Sequence, residues 1–177
     1  MRKYCIIIFA LLTAFVMAFI FYQSAKDNVA SSNASGGISD PLAEMIRPEN
    51  PETDRIPSTG GLVGARQTFL YKVSEFVRTG AHVLEFAALT FFAYLLALSA
   101  GADKTKKARL WAMPSVFLFG ALYALSDEVH QKFVPGRSFQ WQDVGFDTLG
   151  AALGVSFALL AYLLFVRIKR KKESKII

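Results

Sequence analysis

The chain has one cysteine, Cys5, among its 177 residues. An intrachain disulfide is therefore impossible, and no metal site can be built from cysteine pairs. Histidine is almost as scarce, with two copies. There is no H-E-x-x-H pair, no serine-nucleophile motif and no phosphate-binding glycine loop. The common signatures of metalloproteases, serine hydrolases and nucleotide-binding enzymes are thus missing. No internal repeat is evident, which excludes a solenoid.

What is present is apolar. The chain is 53% hydrophobic, with sixteen Phe and a positive mean hydropathy. This exceeds the apolar share of a typical soluble domain. The apolar residues come in four blocks: Tyr4 to Tyr22, Ala81 to Ala100, Leu110 to Leu125 and Leu149 to Val166. At about 1.5 Å per residue, the first is long enough to cross a hydrocarbon core of about 30 Å. It is longer than a signal-peptide core and no clean A-x-A site follows it, so an uncleaved anchor is expected. The pattern predicts an all-α, polytopic membrane protein with a bundle of four transmembrane helices.

The net charge of +6 raises the question of nucleic acid. The distribution of basic residues answers it. Arg2 and Lys3 precede the first run; Lys104, Lys106, Lys107 and Arg109 join the second to the third. Arg167, Lys169, Arg170, Lys171, Lys172 and Lys175 follow the fourth. Four spans place all three groups on one side, which the positive-inside rule makes cytoplasmic. The charge therefore encodes topology. No nucleic-acid partner is expected, and the basic tail, 167–177, suits anionic membrane lipid. Both termini are expected in the cytoplasm, with the segment 127–147 outside.

A 1–23 anchor is followed by an outer segment, 24–61, rich in Ser, Gly, Pro and Asn, which reads as a flexible loop. Beyond it Phe69, Leu70, Val73, Phe76 and Val77 recur at helical steps. They predict an outer amphipathic helix on the membrane surface that leads into the second span.

The third run, 110–125, gives a helix of only about 24 Å against about 30 Å of hydrocarbon. It reaches full thickness only by continuing through Asp127, Glu128, His130 and Gln131. The second run has the same need for His82 and Glu85. Carboxylates at that depth are costly and should face a protein-lined pocket. Helical spacing agrees: Arg78, His82 and Glu85 share one face, as do Gly120, Ala124, Asp127 and Gln131, and Asp143, Asp147, Gly150 and Gly154. Small residues at Gly120, Gly150 and Gly154 let helices pack closely beneath the polar groups. Between the third and fourth runs, "VPGR" predicts a type II turn that holds Arg137 over the cavity, with Ser138 capping the next helix. Phe139 and Trp141 read as interfacial anchors.

The stretch "SDEVHQKFVPGRSFQWQDVGFDTLGAALG" resembles the hallmark of the VanZ-like family of bacterial membrane proteins. "RTGAHVLEFAAL" is similar to the family's second motif, with Thr79 and Phe86 where relatives often carry Lys and Tyr. "IFYQSAKDNVASSNAS" loosely resembles the Ser/Gln-rich stretch after the family's first helix. The resemblance implies a VanZ-like membrane domain over 62–166, comprising the amphipathic helix and three spans. The founding member is linked to teicoplanin resistance in Gram-positive bacteria.

Several functions stay open at this level. An outward-facing site of His82, Glu85, Asp127, Glu128, Gln131, Arg137, Asp143 and Asp147 could bind or remodel a cell-envelope component and lower glycopeptide access. Lipid-linked cell-wall precursors and glycopeptides both present polar heads at this depth. Alternatively, clustered carboxylates with His could bind a divalent cation and activate water, or supply a general acid or base in a membrane enzyme. A small transporter or channel, or a set of ion pairs that only brace the bundle, are the remaining readings. The sequence names no ligand, cofactor, metal or reaction, and fixes no oligomeric state.

Overall fold

A computed structural model describes residues 2–26 and 60–174. All regular structure among these residues is helical. The elements are α1 (Arg2–Ser24), α2 (Gly60–Ala97) continued by a π-helical turn (Leu98–Ala102), α3 (Lys106–Gln131) and α4 (Trp141–Glu173). Four segments are long and apolar enough to cross a membrane: Arg2–Ser24, Lys72–Ala102, Lys106–Gln131 and Trp141–Glu173. The chain is therefore an all-α, polytopic membrane protein. The expected flexible loop, 24–61, lies mostly outside the described residues.

The spans extend at their polar ends as the length argument requires. Helix α3 continues through Asp127, Glu128, His130 and Gln131, and α2 contains His82 and Glu85. The outer helix runs into the second span, as its spacing predicts. It is not a separate element: residues 60–97 form one uninterrupted helix. No proline falls within it, and Gly80 is tolerated mid-helix, so nothing in the local sequence imposes a bend. Of its apolar stripe, Val73 is buried while Phe69 and Phe76 are exposed.

Two clusters make the core. Tyr94, Leu98, Val116, Val155 and Ala158 pack at one end, and Ile20, Phe86, Leu89 and Ala124 at the other. The most extensive helix pair is α2 with α4. Glycine makes it possible. A Cβ at Gly150 would collide with the Val83 carbonyl, and one at Gly154 with the Ala87 carbonyl and the Thr90 hydroxyl. A Cβ at Gly120 would meet the Thr90 methyl and Ala151 at less than 3.0 Å. Beside these contacts Thr90 Oγ1 donates to the Ala151 carbonyl at 2.8 Å, tying α2 to α4.

The two ends of the bundle differ in chemistry. At one end Arg2 pairs with Asp103 at 2.9 Å and donates to the Ser99 carbonyl at 2.7 Å. This fastens α1 to the turn between α2 and α3, where Gly101 takes a φ of +140° that disfavours other residues. The basic clusters gather here. The other end holds the polar residues of α2, α3 and α4. Along the flanks Ile7, Leu11, Phe15, Phe157 and Leu160 are exposed, as suits helices that face lipid.

Candidate functional site

Four polar side chains of α3 and α4 are almost completely buried at the polar end. Asp127 is 4% exposed, Glu128 1%, Gln131 2% and Asp147 1%. Burying a carboxylate is expensive unless it is paired, hydrogen-bonded or coordinated, so their partners decide what the site can do. Their hydrogen-bond partners come from α1, α3 and the backbone just before α4.

Asp127 is well satisfied. Its Oδ2 accepts from Ser24 Oγ at 2.8 Å and from Gln131 Nε2 at 2.7 Å. Gln131 sits one turn after Asp127 on α3, and Ser24 is the last residue of α1. Ser24 is fully buried. Sequence reading did not single it out; the Ser/Gln-rich stretch after the first helix was the available signal. Tyr123 adds a second bond to α1, donating to the Met17 carbonyl at 2.8 Å.

Glu128 is half satisfied. Its Oε2 accepts the backbone N–H of Gln140 at 2.9 Å, while Oε1 is buried without a hydrogen-bond partner. Gln140 is the N-cap of α4, in extended conformation, and its own side chain makes no cap. Ser138 therefore does not cap this helix, contrary to expectation, because the helix begins at Trp141, two residues too late for it. Glu128 instead holds the entry strand from outside the helix. Trp141 and Phe139 contact edge-on, with ring centroids 4.8 Å apart.

Asp147 is unsatisfied. Both carboxylate oxygens are buried without a hydrogen-bond partner. Its nearest cationic candidate is His82, with Nδ1 to Oδ1 at 3.9 Å, too long for a hydrogen bond. His82 Nδ1 and Glu85 Oε2 are buried and without hydrogen-bond partners too. Arg78, His82, Glu128, Asp143 and Asp147 line a cavity of about 10 Å³ between α2, α3 and α4. That is about the room one water or one ion requires.

The arginines stand at the edge. Arg78 is turned toward Glu75, one turn back on α2, at 3.0 Å. Arg137 follows the expected turn: its N–H donates to the Val134 carbonyl at 3.2 Å, and Gly136 has φ +76°. Such a φ marks the third position of a type II turn. Burial lowers the Arg137 pKa from its usual value, and Arg78 acts in the same sense. Glu128, Asp127 and Asp143 oppose this, so Arg137 lies within electrostatic reach of the cluster. Among the described residues Arg137 forms no ion pair within 4.0 Å.

The structure thus brings His82, Glu85, Asp127, Glu128, Gln131 and Asp147 to one end of the bundle, with Asp143 on the cavity wall and Arg137 in the loop beside it. His130 takes no part in the cavity lining; its ring stacks on Phe21 of α1, with centroids 4.4 Å apart. This four-helix membrane bundle with a buried acidic cluster at one end is the setting in which family membership is read. The VanZ/LLP1 family model matches residues 9–165, and the chain belongs to that family. No curated protein and no solved structure matches it significantly.

Proposed function

We propose that the protein sits in the bacterial cytoplasmic membrane with both termini and the basic end of the bundle inside. The acidic end then faces outward and binds the polar head of a cell-envelope component. A lipid-linked cell-wall precursor fits this position, since its head lies at the outer surface and its tail can rest against the exposed apolar flanks. Occupying or remodelling that component would lower access of teicoplanin-type glycopeptides to it. The observation that carries the reading is Asp147: a carboxylate 1% exposed, with neither oxygen hydrogen-bonded, on the wall of a small polar cavity. Buried groups that only brace a fold are normally satisfied within it.

A bracing role suits one member of the cluster. The bonds from Ser24 and Gln131 to Asp127 tie α1 to α3. Asp127 then holds the frame, and Asp147 and Glu128 face the ligand. The test is surface binding of fluorescent teicoplanin to cells expressing the wild type, Asp147→Asn or Glu128→Gln at matched protein level. The wild type should reduce binding, and both variants should restore it. Equal staining of all three strains and an empty-vector strain removes the glycopeptide part of the proposal. Protection that survives both substitutions removes the site.

A further inference from the structure

His82 and Asp147 lie at a separation that no direct bond explains. Their N···O distance is 3.9 Å, and both atoms are buried and lack hydrogen-bond partners. Direct pairing would draw them below about 3.2 Å. Two donors that share one cation at bonds of about 2.1 Å stand about 3.0 to 4.2 Å apart, depending on the angle between them. The gap has the width of an intervening ion.

A third donor completes the geometry. One ligand atom each from His82, Asp127 and Asp147 lies within 4.8 Å of the others. A point between three such atoms is roughly 2.8 Å or less from each, at most about 0.7 Å beyond a metal–ligand bond of about 2.1 Å. Binding would draw the three side chains inward by that amount. The three donors come from α2, α3 and α4, so the ion would sit where the helices converge.

Charge makes the same demand. Glu85, Asp127, Glu128 and Asp147 crowd four carboxyl groups where little solvent reaches. Arg78 is engaged by Glu75, and Arg137 forms no ion pair among the described residues. Protonating Asp147 would reduce the charge but would supply no hydrogen-bond acceptor within reach at His82. A cation satisfies both carboxylate and imidazole at once. Ser24 and Gln131 would then serve as the outer partners that fix the Asp127 carboxylate, as the ligands of metal sites generally require.

We propose that His82, Asp127 and Asp147 form a binding site for one first-row divalent cation of the Mn2+-to-Zn2+ class. A single imidazole with two carboxylates suits these ions better than calcium, which takes oxygen donors, or copper(I), which takes sulfur. Glu128 Oε1, buried and unpartnered on a residue that lines the cavity with His82 and Asp147, is a candidate fourth ligand. This goes beyond the envelope reading, and the two can fail separately.

The test uses untagged full-length protein in lipid nanodiscs, stripped with EDTA and offered Mn2+ or Zn2+ alone. Metal retained after desalting is measured by mass spectrometry, and bound Mn2+ by pulsed electron paramagnetic resonance. One equivalent of at least one ion should be retained. Asp147→Asn should lower its affinity at least tenfold, and Asp103→Asn at the far end should not. Because the chain has two histidines, the resonance experiment assigns the nitrogen ligand even if Asp147→Asn does not fold. Bound Mn2+ should show coupling to a directly ligated nitrogen that persists in His130→Gln and vanishes in His82→Gln. Retention of neither ion by the wild type overturns the proposal. So does binding unaffected by Asp147→Asn, or bound Mn2+ without histidine coupling.

Discussion

Ser24 donates a 2.8 Å hydrogen bond to the Asp127 carboxylate, and both residues are buried. With the longer bond from Gln131 Nε2 to Ser24 Oγ at 3.4 Å, this contact joins the end of α1 to the acidic cluster. Ser24→Ala removes the donor and leaves part of the carboxylate's hydrogen bonding unmet. The expected cost is about 1.5–3 kcal/mol, the range for hydrogen bonds to charged groups. Asp127→Asn, which keeps an acceptor oxygen for Ser24 and Gln131, should cost less. Thermal unfolding of the two variants in detergent decides the order; equal midpoints for Ser24→Ala and wild type would show that the contact contributes nothing.

Glycine substitutions should divide by position. Gly154→Ala and Gly150→Ala drive a methyl group into the backbone of α2 and should destabilise by about 1–3 kcal/mol. Gly145→Ala and Gly80→Ala meet nothing within 4 Å and should be neutral or stabilising by up to about 1 kcal/mol through helix propensity. Folded yield after size-exclusion chromatography is the readout. Similar yields for all four would mean that α4 does not approach α2 as closely as described.

Glu128→Gln separates a ligand role from a bracing role. Glutamine keeps a carbonyl oxygen for the Gln140 N–H and replaces the unpartnered Oε1 with an amide. Folding should therefore persist, while protection against teicoplanin is lost. If the carboxylate were one half of a buried ion pair, the same change would cost about 3–5 kcal/mol and deplete the protein. Loss of function in proportion to loss of folded protein would assign Glu128 to the scaffold.

Orientation is tested from two exposed serines. In a Cys5→Ser background, Ser138→Cys in the loop before α4 should react with an impermeant maleimide on intact cells. Ser174→Cys, just after the last helix, should react only after lysis. The reverse pattern would place the acidic cluster in the cytoplasm and end the envelope proposal.

The four helices were legible because lipid imposes a simple rule. Each apolar run had to be a helix, and the third was too short unless its acidic end was included. The stripes of α2, α3 and α4 were legible for the same reason: three- and four-residue spacing puts Asp127 beside Gln131 and Asp147 above Gly150. Contributions from distant chain were not legible. Ser24 reaches Asp127 across 103 residues, and no local pattern marks a serine for that task. The start of α4 was misplaced because Ser138 has the chemistry of a cap, while the backbone at Gln140 is held by Glu128 instead. The helical spacing from Phe69 to Val77 led correctly into the second span, where residues 60–97 form one helix.

The reach from Ser24 to Asp127 also sets an order of events during synthesis. Helix α1 is made first, yet three of its polar ties to the bundle, Asp103 with Arg2, Tyr123 with Met17 and Asp127 with Ser24, lie 101, 106 and 103 residues downstream. Contacts so distant along the chain form late and slowly. Until α3 has been inserted, the Ser24 hydroxyl has no carboxylate to meet. Asp127 arrives into a membrane where α1 must still be close at hand. The acidic cluster, moreover, cannot be complete before α4 delivers Asp147. A nascent chain that stalls between α3 and α4 would therefore present a half-built, highly charged cavity to the lipid, a feature by which membrane quality control could recognise unfinished molecules.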